Sequence, residues 1–79
     1  MTEESLILLN DIQKTITPDI ERSFADEDVL EIKYKYNNTK CLQTEIGVNF
    51  LSSLLNFRGY DVYKLCHHAD KVLLIRKKE

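Results

Sequence analysis

Glycine and proline are scarce in this chain: Gly47, Gly59 and Pro18 are all it has. Two isolated glycines cannot build the loop that cradles a nucleotide phosphate, so that class of site is excluded. Cysteine is sparse as well, with only Cys41 and Cys66. Long apolar runs are missing. The longest, residues 6–9 and 72–75, hold four residues each, whereas a membrane-spanning helix needs about twenty. The start of the chain, MTEESLILLN, is acidic and has neither a basic leader region nor a cleavage signature. These absences place the protein in the cytoplasm and off the membrane. They make the two cysteines reduced thiols rather than a disulfide, and the Asn37-Asn38-Thr39 sequon a coincidence. Carboxylates paired in an apolar setting are lacking too, which argues against acid–base catalysis.

What is present suits one globular domain over residues 1–79, with 43% hydrophobic and 30% charged residues. A chain this short buries a modest core and has little room for a deep polar cleft. The expectation is a protein that is not an enzyme and needs no cofactor. The net charge of −2 conceals an asymmetry. Residues 1–31 carry nine acids against two bases, a net of −7, and residues 32–79 carry nine bases against four acids, a net of +5. Such polarity makes a binding face, or lets the two halves attract each other within the fold.

The chain is organised around residues 44–57, TEIGVNFLSSLLNF, which read as a central helix. Thr44 is its cap, Glu45 sits where the helix dipole favours an acid, and Gly59 supplies the stop. Ile46, Phe50, Leu54 and Phe57 recur at spacings of three and four, and Leu51 and Leu55 widen the stripe. On this pattern Phe50 and Leu54 are expected to be almost fully buried.

Ahead of it, residues 2–16 read as a first helix capped by Thr2, with Ser5, Leu8, Leu9, Ile12 and Ile16 on one face. Thr17-Pro18-Asp19 ends it and starts a short second helix, with Thr17 as cap and Ile20 and Phe24 four residues apart. Ala25-Asp26-Glu27-Asp28 is a solvated turn, since it lacks the spaced ligands and glycine of a calcium loop. Residues 29–36, VLEIKYKY, alternate cleanly: Leu30, Ile32, Tyr34 and Tyr36 face the core, and Glu31, Lys33 and Lys35 face water. Residues 39–43 read either as a returning strand or as the approach to the central helix, with the strand favoured because Thr44 is the better cap. Residues 60–66 and 71–77 form a hairpin around His67-His68-Ala69-Asp70. The unbroken apolar middle of the last strand points to burial on both faces or to the centre of the sheet. The whole is an α+β two-layer sandwich: a mainly antiparallel sheet of three or four strands, with helices on one face.

Chemistry-bearing clusters are few. Cys66-His67-His68-Ala69-Asp70 holds metal-type residues, but neighbours on a strand point opposite ways and the spacing fits no zinc module, so no metal is expected. The same geometry separates Cys66 from His67 as a catalytic pair.

Two binding readings remain. The stretch 42–57, with Ile46-Gly47-Val48 as a turn and residues 60–77 as a hairpin wing, is similar to a winged helix. It departs from that pattern at Gln43, where a small residue is wanted, and at Ser53, where an aliphatic one is buried. It departs again in a recognition helix whose only base is Arg58. A nucleic-acid face would use Lys33, Lys35, Lys64, Lys71, Arg76, Arg58 and Asn49, with Tyr63 for stacking. The leading reading is a small regulator or inhibitor that binds another protein. Its candidate contacts are Leu6 and Ile7 on the first helix, the acidic run Asp26, Glu27 and Asp28, and Tyr34 and Tyr63. The surplus of leucine and tyrosine also makes a homodimer a candidate assembly.

Overall fold

Thr2 sets the entry to the first helix. Its backbone is extended, and its hydroxyl accepts a hydrogen bond from the Ser5 amide at 3.1 Å. One orphan N–H of the first turn is thereby satisfied. The structure, a computed structural model, describes residues 2–79. Helix α1, Glu3–Asp11, has Glu3 and Glu4 in its first turn, where the macrodipole favours negative charge.

The break expected at Thr17-Pro18 does not occur. Helix α1 runs into a π-helical segment, Ile12–Ile16, and then into α2, Thr17–Ser23. Pro18 has no N–H to donate, and its ring crowds the carbonyl four residues back. The wider turn, in which the Thr17 N–H reaches the Ile12 carbonyl, makes room for it. Thr17 therefore caps nothing. Its hydroxyl is buried without a hydrogen-bond partner.

Strand β1, Glu31–Lys35, keeps the expected alternation, with Glu31, Lys33 and Lys35 exposed and Ile32 and Tyr34 half-buried. It is shorter than residues 29–36. Leu30 lies outside the strand and is 64% exposed, so it does not join the inner face. Tyr36 lies beyond the strand and is buried, its amide bonded to the Lys71 carbonyl at 3.0 Å. Residues 39–43 are not a strand. They contain a 3-10 turn, Lys40–Leu42, that drives Cys41 and Leu42 into the core. The partner of β1 comes from the C-terminal hairpin instead.

Helix α3, Glu45–Phe57, begins at Thr44 as expected, with the Thr44 hydroxyl accepting from the Gly47 amide at 3.1 Å. Gly59 follows it at φ 101°, a left-handed conformation that suits glycine. The buried face is not the one expected. Gly47, Val48, Leu51 and Leu55 are buried, while Phe50 and Leu54 are only half-buried. Ile46 is exposed, and so is Phe57, at 91%. The helix is apolar around most of its girth, so periodicity could not choose the face. Gly47 chooses it: a side chain there would collide with the Cys41 carbonyl oxygen, so the helix turns its bare backbone to the 3-10 turn. Ile46-Gly47-Val48 lie inside this helix, which removes the expected helix-turn-helix turn.

Strands β2, Tyr60–His67, and β3, Asp70–Lys77, form the hairpin, with His68 at φ 56° in its two-residue turn. Strand β3 is central, and the order is β1-β3-β2, all antiparallel. Its apolar middle thus lies between two strands. Leu73 and Ile75 enter a core shared with Ile12, Ile16, Ile20, Leu51 and Leu55 from the helical layer. The result is a two-layer α+β sandwich with helices on one face of a three-stranded sheet. Part of the charge asymmetry is spent within the fold. Arg58 pairs with Glu21 at 2.9 Å and Arg76 with Glu31 at 3.3 Å, each joining the basic half to the acidic one.

Candidate protein-binding face

Register and alternation together decide which side chains share the uncovered face of the sheet. Residues directly opposite in an antiparallel pair project to the same side. Ile75 is buried and faces Ile32 and Val62, so these mark the helix side. The outer side then carries three rows. The first is Glu31, Arg76 and Asp61; the second Lys33, Leu74 and Tyr63; the third Lys35, Val72 and Leu65.

Four of these nine residues are apolar or aromatic, and they are contiguous across β2 and β3. Tyr63 is 49% exposed and Leu65 40%, and neither belongs to the core that the helices cover. A depression of about 340 Å³ lined by Lys33, Leu65, Cys66 and Val72 opens at one end of this patch. The flanking cations are largely neutralised in place. Lys35 pairs with Asp70 at 3.1 Å and Arg76 with Glu31 at 3.3 Å, which leaves Lys33 as the cation of this face without an ion pair among the described residues.

The residues proposed from sequence scatter over several surfaces. Tyr63, Lys33, Lys35 and Arg76 share the outer face. Lys64 and Lys71 do not: they project to the helix side, where the Lys64 ammonium donates to Asn49 Oδ1 at 3.3 Å. Lys71, with Tyr36, Leu42 and Gln43, lines two depressions of about 310 and 220 Å³ beside the start of α3, and Lys64 and Glu45 join it in the smaller one. Tyr34 also points inward and packs on the core. Leu6 and Ile7 are exposed on α1. Asp26, Glu27 and Asp28 are exposed in a turn closed by the Asp28 amide on Asp26 Oδ1 at 3.0 Å. Arg58 is held by Glu21. Sequence reasoning passed over Val72, Leu74 and Leu65. Their signal was the run of four apolar residues at 72–75: a central strand covered on one side must leave alternate members of such a run outside.

The thiols divide sharply. Cys66 is exposed and Cys41 buried. Cys41 Sγ donates to Asp11 Oδ2 at 3.7 Å. Burial, the Asp11 charge and that hydrogen bond push its thiol above the ordinary value of 9.0. Cys41 is thus kept as the protonated thiol, the opposite of an activated nucleophile. Burial also raises the Tyr60 phenol, aided by Glu21 and opposed by Arg58. Among the described residues, no group of three His, Cys, Asp or Glu could hold a metal ion. Nor is any helix there long and apolar enough to cross a membrane.

No protein-family model matches the chain, and neither the curated proteins nor the solved structures give a match.

Proposed function

We propose that this is a small non-enzymatic regulator that acts by binding another protein through the outer face of its sheet. One observation carries the reading: Tyr63, Leu65, Val72 and Leu74 form a continuous uncovered apolar patch whose flanking cations are mostly paired. An apolar centre with a neutralised polar rim is the anatomy of a protein interface. Tyrosine is well suited to anchor one, because a large rigid ring is buried at low entropic cost. Phosphate binding asks for the reverse, free cations that release counterions on contact. In this reading the working compartment is the cytoplasm, where both thiols stay reduced.

The test is a photoreactive residue placed at Tyr63, with another at Asn56 on the exposed side of α3 as control. Discrete protein adducts at position 63 that disappear with Leu74→Asp support the reading. Adducts equally frequent at both positions would sink it.

A second reading has one observation in its favour. Lys64, Lys71 and Asn49, all named from sequence for nucleic-acid binding, meet beside the start of α3. Two ammonium groups there suit a phosphate backbone. Fluorescence anisotropy with oligonucleotides at low and at physiological salt tests it. Binding that collapses with salt, and is lost with Lys64→Ala and Lys71→Ala, would transfer the function to that groove.

A further inference from the structure

We infer that the partner engages this face by adding an extended segment of its own chain, as a further strand, to the open edge of β2. This rests on the protein-binding reading and names the mode of binding and the partner's chemistry.

The hydrogen bonds of the sheet show which backbone groups are left over. In an antiparallel sheet the N–H and C=O of one residue point to the same side, and successive residues alternate. The Lys71 carbonyl accepts from Tyr36 and the Lys77 amide donates to Leu30, so odd residues of β3 turn to β1. The Lys78 amide donates to the Gly59 carbonyl at 2.9 Å, so even ones turn to β2. By register, the bonds of β3 then go to Asp61, Tyr63 and Leu65. Tyr60, Val62, Lys64 and Cys66 present their N–H and C=O to the other side, where the sheet has no further strand among the described residues.

The two edges of the sheet are unlike. A strand edge is a template for pairing unless charge, shortness, proline or a bulge blunts it. Strand β1 is blunted: it has five residues, and those that present free backbone groups, Glu31, Lys33 and Lys35, are all charged and exposed. Strand β2 has eight residues, an unbroken register, and neither proline nor glycine. Of its four open residues only Lys64 is charged, and that ammonium group is tied to Asn49 of α3. Residues 63–66 are exposed.

Such an edge specifies its occupant. Alternating donors and acceptors are matched by another extended backbone at the ~4.8 Å spacing of paired strands, which is the basis of β-strand addition. The outer side of the added strand lies beside Tyr63 and Leu65, so apolar side chains two residues apart continue the patch of the face. The segment is therefore extended, free of proline where it pairs, and apolar at alternate positions.

A phage library of random peptides as long as β2, selected on the full chain, tests the inference. The selected peptides should lack proline and carry apolar residues two apart. A synthetic copy should slow hydrogen exchange at the amides of Val62, Lys64 and Cys66. Lys64→Pro removes one open donor and no bond to β3. It should weaken binding at least ~10-fold, since an acceptor of the peptide is left unmatched. Lys64→Thr keeps that amide and should bind far more tightly than the proline variant. Equal losses in the two variants overturn the inference, because the lysine side chain is then the contact. So does a selection without a common pattern, or a selected peptide that protects none of the three amides. A dimer in sedimentation that Lys64→Pro abolishes overturns it too, by making β2 of a second copy the occupant. The exchange measurement needs no variant, so it decides the matter should the proline destabilise the fold. If position 63 still crosslinks to another protein in Lys64→Pro, strand addition falls and the protein-binding reading stands. Adducts equally frequent at positions 63 and 56 remove both.

Discussion

At the scale of single residues, three positions show how contacts override local preference. Thr17 is a buried β-branched residue with an unpartnered hydroxyl. An unsatisfied buried polar group costs about 1–3 kcal/mol, and removing it without changing shape recovers part of that. Thr17→Val should therefore raise stability by about 1 kcal/mol in urea unfolding; a loss of similar size would mean that the hydroxyl has a partner in solution. Gly47 is the reverse case. Alanine is the better helix former by about 1 kcal/mol, yet its methyl group would strike the Cys41 carbonyl. Gly47→Ala should cost at least ~2 kcal/mol net, and a stabilising effect would show that the 3-10 turn does not pack on α3. Cys41 makes a pH prediction. Its folded-state thiol is raised above 9.0, so above that pH the unfolded chain releases a proton that the folded chain retains. Unfolding is then favoured, and stability falls as pH climbs from about 9 through the folded value. Tyr60 adds to the same decline from 10.0 upward. Cys41→Ala should flatten the first part of this limb, and an unchanged limb would exclude Cys41 as its source. None of these positions was legible in the sequence: Thr17 depends on the turn that Pro18 widens, Cys41 on Asp11 thirty residues away, and Gly47 on how the 3-10 turn folds back on α3.

At the scale of elements, what was legible follows from local chemistry. The caps at Thr2 and Thr44 stand where the sequence puts them, because an N-cap bonds to amides only three residues away. The C-terminal hairpin and the central place of β3 were also readable, from alternation and from the run at 72–75. The buried face of α3 was not. Its apolar residues surround the axis, so 46-50-54-57 and 48-51-55 are equally good stripes, and only packing separates them. The distinction is measurable. Leu51→Ala empties a fully buried site and should cost about 2–5 kcal/mol, whereas Leu54→Ala, at a half-buried one, should cost less than half as much. The opposite order would restore the face expected from periodicity. Residues 39–43 misled for a related reason. The cap at Thr44 fixes where α3 begins but not what precedes it; β1 already has its partner in β3, and the segment instead delivers Cys41 and Leu42 to the core.

At the scale of the whole molecule, part of the charge asymmetry of the sequence becomes two surface ion pairs between the halves, Glu21–Arg58 and Glu31–Arg76, while Lys35–Asp70 lies within the basic half. Glu21–Arg58, Glu31–Arg76 and Lys35–Asp70 all involve side chains at least a third exposed on one partner. Exposed pairs are worth at most about 1 kcal/mol each and are screened by salt. Stability should therefore change by less than ~2 kcal/mol between low salt and 1 M sodium chloride; a larger loss would mean that attraction between the halves holds the fold together. The same pairs set the charge of the outer sheet face. By neutralising Lys35 and Arg76 they turn what the sequence reads as a basic strip into an apolar patch with a balanced rim.

The sequence by itself determined the central helix, the first strand and the C-terminal hairpin, their order, and the caps at Thr2 and Thr44. These follow from hydrogen bonds and side-chain spacings within a few residues along the chain. Only the tertiary structure decided which side of α3 is buried, where Lys64 and Lys71 point, and which apolar residues remain uncovered. Those depend on register across strands and on the way the 3-10 turn packs back against α3 at Gly47, neither of which side-chain periodicity encodes.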